Sequence, residues 1–132
     1  MHQVYTDGAS KGNPGPASIG IVCYSSDKQI EIVFQHSEKI GKNTNNVAEW
    51  TSLIRALELL IERNITEVSI FMDSELVVKQ FNGVYKTKHP EMQKLKIIAF
   101  SLKEKFSIIV LKYISREKNK MADKLANQAF EK

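Results

Sequence analysis

The chain has 132 residues and a formal net charge of +4 at pH 7, which is enough for one domain with its own hydrophobic core. Its 42% hydrophobic and 26% charged residues are ordinary for a soluble globular protein, and no apolar run approaches the ~20 residues that cross a bilayer. Cys23 is the only cysteine, which excludes an internal disulfide and a cysteine metal cluster. The first residues, MHQVYTDG, lack a signal-peptide pattern, so we expect a single cytoplasmic domain over residues 1–132.

The charge is unevenly distributed along the chain. Residues 1–84 carry 7 Lys/Arg against 10 Asp/Glu, a net charge of −3, whereas residues 85–132 carry 12 against 5, a net charge of +7. A basic half of this kind favours a polyanionic partner. On charge alone, a solvated lysine-rich face explains the same pattern.

The first part of the chain predicts three consecutive strands. Val4–Asp7 is short, and Ser18–Tyr24 and Ile30–Ser37 are rich in β-branched and aromatic residues. Ser25–Lys28 reads as a hairpin loop between the second and third strands. These strands form an antiparallel meander.

A long amphipathic helix follows the meander. Apolar residues recur at three- and four-residue steps from about Asn46 to Arg63. Asn45 and Asn46 are candidate N-cap residues, and Glu49 stands where a capping box places its acid.

The second half alternates strands and helices. We expect strands at Glu67–Met72 and Ser107–Ile114, and helices at Ser74–Phe81, Pro90 to about Phe106, and Asn119–Glu131. The order βββαβααβα predicts an α/β fold. Its five-stranded mixed sheet has three antiparallel strands, then parallel strands, and helices packed on it.

The glycine-rich turn after the first strand does not match a nucleotide-binding loop. Glycines at 8, 12 and 15 have the wrong spacing, and a strand rather than a helix follows them. A plain tight hairpin explains Gly12–Gly15. For Gly8, next to Asp7, we expect a main chain that a ligand can approach closely.

Four acids stand at positions that this topology can bring together. Asp7 ends the first predicted strand and Asp73 follows the fourth, whereas Glu49 and Asp123 lie in the first turns of helices. Carboxylates crowded at one sheet edge repel one another unless divalent cations bind among them, and oxygen ligands favour Mg²⁺ or Mn²⁺. Taken singly, Glu49 is explained as a capping acid and Asp123 as an exposed helix acid.

Four motifs, in order, resemble type 1 ribonuclease H: TDGASKGNPGPASIG, NTNNVAEW, FMDSELVVKQ and REKNKMADKLA. The resemblance covers essentially the whole chain. It implies the ribonuclease H fold and endonucleolytic hydrolysis of the RNA strand of RNA–DNA hybrids. It also implies two Mg²⁺ ions, with Mn²⁺ as a possible substitute, held by Asp7, Glu49, Asp73 and Asp123.

The resemblance further implies a set of nucleic-acid contacts. Some match positions whose backbone meets RNA 2′-hydroxyls, and others match positions that touch the minor groove or a DNA-strand phosphate. Two further positions are Arg116, in the loop before the final helix, and Asn119, at the start of that helix. The matching positions are Gly8, Ala9, Ser10, Asn13, Thr44, Asn45, Asn46, Arg116 and Asn119.

The sequence departs from the family at the loop before the last helix. Many members carry a histidine there, whereas this chain has SREKN and histidines only at His2, His36 and His89. Arg116 and Glu117 are the candidates for its role.

A second departure from the family concerns the residues that bind the hybrid. The segment between Gly83 and Pro90 is too short for the basic protrusion of larger members, and no separate hybrid-binding domain is expected. Neighbouring lysines are the candidate replacements: Lys86, Lys88, Lys94 and Lys96.

Two alternatives stay open at this point. One is a catalytically weak or inactive paralogue that binds RNA–DNA hybrid or structured nucleic acid. The other is DNA transposition or junction cleavage, against which the intact motifs weigh. We expect a monomer with no obligate protein partner and no membrane association.

Overall fold

The computed structural model of the protein describes residues 1–26, 28 and 31–131. Within these residues the chain forms five strands, four α-helices and two short 3-10 helices, at Arg116–Lys118 and Ala129–Glu131. The strands are β1 (His2–Ser10), β2 (Gly15–Tyr24), β3 (Ile32–Asn43), β4 (Glu67–Met72) and β5 (Ile108–Tyr113). The helices are α1 (Asn45–Glu62), α2 (Glu75–Phe81), α3 (Pro90–Lys103) and α4 (Lys120–Gln128).

The strands form one mixed sheet in the order β3-β2-β1-β4-β5. β1, β2 and β3 pair antiparallel, whereas β4 pairs parallel with both β1 and β5. This confirms the predicted fold class and element order. Two positions of the predicted hairpin and third strand, Asp27 and Ile30, lie outside the described residues.

The strands at the start of the chain are longer than predicted. β1 continues past Asp7 to Ser10, where it pairs with β2 as far as Ala17, and β3 continues to Asn43, where it pairs with β2 as far as Gly15. The alternation of apolar and polar residues stops earlier than the backbone pairing does. The pattern therefore missed the end of β1 after Asp7, which is half-buried, and the end of β3 after Ser37, which is half-buried or exposed.

Helix α1 begins one residue earlier than predicted, and its cap is different. Thr44 is the N-cap, and its hydroxyl accepts a hydrogen bond from Val47 N at 3.2 Å. The prediction that Asn45 or Asn46 caps the helix, with Glu49 as the capping-box acid, is therefore wrong. The Glu49 carboxylate is free to point toward the sheet instead.

The buried stripe of α1 supplies much of the core. Trp50, Leu53, Leu57 and Leu60 are fully buried in a cluster with residues of the sheet. Trp50 Nε1 donates to Gln80 Oε1 at 3.1 Å, which satisfies two buried polar groups and ties α1 to α2.

Helices cover both faces of the sheet near β1. A Cβ on Gly8 would lie 2.3 Å from the backbone of Ala48 in α1, and a Cβ on Gly20 would lie 2.2 Å from Ala122 O in α4. Gly20 pairs with Asp7, the neighbour of Gly8, and successive strand residues point to opposite faces. Helices α1 and α4 therefore pack against opposite faces of the same two strands.

The end of α4 is also bound to the sheet by hydroxyl groups. Ser18 Oγ donates to Ala126 O and Ser37 Oγ donates to Leu125 O, both at 2.6 Å. These contacts hold the helix that carries Asp123. None of the helices in the described part of the chain has the length and apolar character needed to span a membrane.

The close approach at Gly20 gives a stability prediction. Gly20→Ala should lower the free energy of unfolding by about 3 kcal/mol, the upper end of overpacking costs, since the added methyl meets helix backbone. Gly83→Ala is the control, because a Cβ there meets nothing within 4 Å although its φ is +80°. We expect it to cost about 1 kcal/mol. Urea unfolding of both variants measures the difference, and equal losses would contradict the contact between α4 and Gly20.

Candidate active site

Two of the four acids follow the last residues of the parallel pairing between β1 and β4. Thr6 pairs with Met72 at the end of that ladder, so Asp7 and Asp73 both come directly after it. β1 continues beside β2, whereas β4 ends. The two acids therefore stand at the fork where the parallel strands separate.

Glu49 reaches this fork from the first turns of α1. Its Oε1 accepts a hydrogen bond from Gly8 N at 2.6 Å. The side chain can do so because Gly8 has no Cβ and lets the helix backbone come close. Helix α1 therefore occupies the Cβ side of Gly8, whereas the main chain of Gly8 also borders the space around the acids. The close approach of a ligand to that main chain stays a prediction.

Side chains continue the hydrogen bonding of β1 where β4 no longer pairs with it. Gly8 N donates to Glu49, and Ser10 N donates to Asn45 Oδ1 at 3.0 Å. Asn119 Nδ2 donates to Thr6 O at 2.9 Å. The polar residues at this edge therefore satisfy buried or half-buried backbone groups as well as lining the site.

The carboxylates form a close group. Asp7, Glu49 and Asp73 each offer an oxygen within 4.8 Å of the others. Asp7 and Glu49 are buried, with 6% and 8% of their surface exposed, and Asp73 is half-buried. Asp123 is not part of this group, but it is close enough to Asp7 to raise the pKa of the Asp7 carboxyl.

Burial and mutual repulsion make these acids hard to ionise. Burial first, and then the charges of Asp73 and Asp123, raise the pKa of Asp7 to about 8. Burial, followed by the charges of Asp7 and Asp73, raises the pKa of Glu49 well above its usual range, although the hydrogen bond from Gly8 opposes this. Carboxyls kept together against such a cost are typical of functional sites.

Asn119 is buried behind the acids and is not a surface contact. Only 1% of it is exposed, and Nδ2 donates both to Thr6 O and, at 3.1 Å, to Asp73 Oδ2. The prediction that Asn119 binds nucleic acid directly is corrected by this geometry, because its amide faces inward. It holds the Asp73 carboxylate against the end of β1.

A polar cleft of about 400 Å³ opens over the acids. All four predicted acids line it, together with six of the nine predicted nucleic-acid residues. Those six are Gly8, Ala9, Ser10, Asn45, Asn46 and Arg116. Ser74 lines the cleft as well; sequence reasoning took it only as the start of a helix, and its hydroxyl does cap α2.

The structure gives Asn13 and Thr44 supporting roles near the cleft. Asn13 Oδ1 accepts from Asn45 N at 3.1 Å, and Thr44 caps α1. Asn13 thus links the glycine-rich turn to the start of α1, and Thr44 stabilises the first turn of that helix. Their contact with nucleic acid stays a prediction.

Arg116 brings a positive charge to the cleft. It lies in the 3-10 helix at Arg116–Lys118, and its charge lowers the pKa of both Asp7 and Glu49 against the larger effects that raise them. The loop that lacks a histidine therefore places a guanidinium beside the carboxylates. A guanidinium is suited to phosphate oxygens.

The donor set fits divalent metal ions. The closely grouped ligand atoms of Asp7, Glu49 and Asp73 are carboxylate oxygens, which hard cations such as Mg²⁺ and Mn²⁺ prefer over softer ligands. A bound cation would also offset the repulsion that raises the pKa values of Asp7 and Glu49. The chemistry of these residues therefore suits a divalent cation bound through oxygen atoms.

Comparison with known proteins places the chain in a family. A family model described as reverse transcriptase-like matches residues 5–129. A bifunctional protein of Mycobacterium tuberculosis is 40% identical over 128 residues, which cover 97% of this chain and 35% of that protein. The crystal structure of RNase H1 from Halobacterium salinarum superimposes with a TM-score of 0.94 at 38% identity, covering 98% of this chain and 97% of that one. The chain belongs to the type 1 ribonuclease H family.

A second ribonuclease H structure extends the comparison to substrate. LC11-RNase H1, crystallised in complex with an RNA/DNA hybrid, has a TM-score of 0.90 and 41% identity, covering 99% of this chain and 97% of that one. The resemblance found in the four sequence motifs is therefore confirmed. The chain spans about a third of the length of the mycobacterial relative.

The raised pKa of Asp7 gives a prediction for the metal-free protein. Between the ordinary value of 3.8 and about 8, the folded state binds more protons at Asp7 than the unfolded state does. The free energy of unfolding should therefore fall as pH rises through this window, by on the order of 1 kcal/mol per pH unit. In chelator, Asp7→Asn should have a higher free energy of unfolding than the parent at pH 8. The difference between the two should be smaller at pH 5.

Urea unfolding at several pH values tests this, with Glu67→Gln as the control because Glu67 is exposed at the other end of β4. The control should follow the parent at every pH. If the difference in free energy of unfolding between Asp7→Asn and the parent did not grow with pH, the raised pKa of Asp7 would be contradicted.

Proposed function

We propose that this protein hydrolyses the RNA strand of RNA–DNA hybrids as a divalent-metal-dependent endoribonuclease. The observation that carries the proposal is the group of Asp7, Glu49 and Asp73, with ligand atoms within 4.8 Å of one another in a polar cleft. Membership of the ribonuclease H family and the hybrid-bound structure of a relative support the substrate class. The four acids are proposed as the catalytic and metal-binding residues.

Two Mg²⁺ ions are the proposed cofactor, with Mn²⁺ as a possible substitute. Asp7, Glu49, Asp73 and Asp123 would hold them. When bound, such ions activate water and stabilise the leaving oxygen in phosphodiester cleavage. Asn119 would keep one Asp73 oxygen turned toward the end of β1, which leaves the other available to a ligand.

The glycine-rich segment of β1 is proposed to face the RNA strand. Gly8, Ala9 and Ser10 line the cleft beside the acids. The N–H groups of Gly8 and Ser10 are already bonded to Glu49 and Asn45. A 2′-hydroxyl that meets Gly8 or Ser10 would therefore donate to a carbonyl oxygen, and DNA lacks that donor.

Arg116 is proposed to meet the phosphate backbone. Its guanidinium shares the cleft with the acids, and it would offset the charge of a phosphate that enters there. Asn45 and Asn46, at the first turn of α1, line the same cleft and are proposed to contact the hybrid. Cytoplasmic location and a monomeric state stay predictions from the sequence.

Removing one proposed metal ligand should abolish cleavage. We expect Asp73→Asn to lower the rate at least about a hundredfold while hybrid binding is largely kept, because an essential charge is lost with little change in shape. Glu67→Gln, with its acid at the opposite end of β4, is the matched control and should cleave like the parent.

The assay uses a strand-labelled RNA–DNA hybrid, with single-stranded RNA, duplex RNA and duplex DNA alongside, in Mg²⁺, in Mn²⁺ and in chelator. Metal-dependent cutting confined to the RNA strand of the hybrid supports the proposal. Hybrid binding without cutting in either metal would favour the inactive paralogue. Equal cleavage by Asp73→Asn and the parent would contradict the site.

Hybrid binding should depend steeply on salt. If lysines of the basic second half contact phosphates, the logarithm of affinity falls linearly with the logarithm of salt concentration, by about 0.9 per phosphate contact. Changing exposed Lys86 and Lys88 together to glutamine should reduce that slope by about 2. Lys28→Gln should leave it unchanged, because Lys28 lies between β2 and β3, on the side of the sheet away from β5. If the double variant had the same salt dependence as the parent, Lys86 and Lys88 would not contact phosphates of the hybrid.

A further inference from the structure

An apolar strip is exposed on α3 and at the start of β5. Ile97 is 70% exposed, Phe100 37% and Ile108 46%. Ile97 and Phe100 are three residues apart on one helix face, and Ile108 begins the strand that follows. Large apolar groups brought together in this way are typical of an interaction surface rather than of scattered surface residues.

Two adjoining grooves shape this strip. One, of about 390 Å³, runs along α3, and the other, of about 610 Å³, lies between the end of α3 and the start of β5. They share Phe100 and Glu104 and are therefore continuous. We call the pair the α3–β5 groove. Its apolar lining residues are Ile97, Phe100, Phe106, Ile108 and Ile109.

The rim of the α3–β5 groove is basic. Lys96 Nζ lies over the Phe100 ring, 5.3 Å from its centre, and Lys103 Nζ lies over the same ring at 5.2 Å. Both ammonium groups are therefore close to the groove that Phe100 lines. Lys103 also lies 5.1 Å from the centre of the Phe81 ring. Against these cations the groove has the carboxylate of Glu104.

The groove is remote from the cleft that holds the acids. Ile108 pairs with Glu67 at the start of β4, whereas Asp73 follows Met72 at its end. Glu67 and Asp73 are six residue steps apart, which is about 20 Å at ~3.3 Å per residue. A molecule in the groove would therefore leave the cleft open.

The combination of an apolar floor and a basic rim selects one kind of occupant. A nucleic-acid backbone would use the lysines but would leave the isoleucine and phenylalanine side chains unmatched. A second copy docked face to face about a two-fold axis would bring the same lysines toward each other. An acidic segment of another protein matches both features, since its carboxylates meet Lys96 and Lys103 while its apolar side chains fill the groove.

We propose that the α3–β5 groove docks an acidic protein segment that carries apolar side chains. Such docking attaches the protein to a partner while its cleft faces nucleic acid. It is a binding function separate from hydrolysis, and it stands or falls independently of the proposed activity.

A peptide selection tests the proposal. Phage-displayed 12-residue peptides are selected on the full chain and counter-selected on Ile97→Ser, whose exposed side chain can be changed without disturbing the core. We expect the enriched peptides to combine Asp or Glu with large apolar residues. The strongest is then synthesised with a fluorescent label, alongside a version in which every Asp and Glu is replaced by its amide.

Fluorescence anisotropy should show at least about tenfold weaker binding for the amide version, for Ile97→Ser and for Lys103→Glu. Ile32→Ser is the matched control, because Ile32 is 48% exposed on the opposite edge strand, β3. It should bind like the parent. Replacing the peptide's acids by lysine should restore binding to Lys103→Glu. An unchanged urea unfolding midpoint for Ile97→Ser shows that the fold is intact.

Four results would overturn the proposal. Enriched peptides without acidic residues would show that the occupant of the groove is not acidic. Binding insensitive to Ile97→Ser would show that the groove is not the docking site. Concentration-dependent dimers that Ile97→Ser abolishes would assign the surface to a second copy. Weaker hybrid affinity in Lys103→Glu, with no peptide enriched, would assign it to nucleic acid.

Discussion

The hydrogen bond from Gly8 N to Glu49 Oε1 is the interaction on which the site depends. It joins β1 to the first turns of α1, 41 residues further along the chain, at 2.6 Å. Only glycine allows the helix backbone so close to the strand at this point. A proposed metal ligand is thus also a partner of the strand backbone. Substituting Glu49 would remove both roles, so loss of function at this position would not by itself identify the chemistry.

The sheet brings acids together from three directions. Asp7 and Asp73 come from neighbouring parallel strands, Glu49 from the helix on one face, and Asp123 from the helix on the other. Glycines at positions 8 and 20 set the two helices close against the strands. The packing of α1 and α4 therefore fixes the distances among the carboxylates, and small changes in the core near these glycines would reach the site.

Much of this arrangement could be predicted from sequence because it depends on local pattern. Apolar periodicity gave the order of strands and helices, and acids after strands pointed to one edge of the sheet. Contacts between distant segments were beyond reach. Nothing near Gly8 in sequence indicates that Ala48 lies against it, and nothing near Asn119 shows that its amide faces Thr6 and Asp73. The capping role given to Glu49 was wrong because Thr44, one residue before Asn45, is also a good N-cap residue and places Val47 rather than Glu49 three residues later.

The crowding of carboxyl groups at the end of β1 also raises their affinity for protons. In the metal-free chain Asp7, with a pKa of about 8, keeps its proton at neutral pH. A divalent cation that enters competes for the same oxygens, so cation uptake and proton release are a single exchange. Protons and divalent metal ions thus compete for the same carboxylate oxygens. The affinity for the metal ion should therefore rise as the pH of the solution rises.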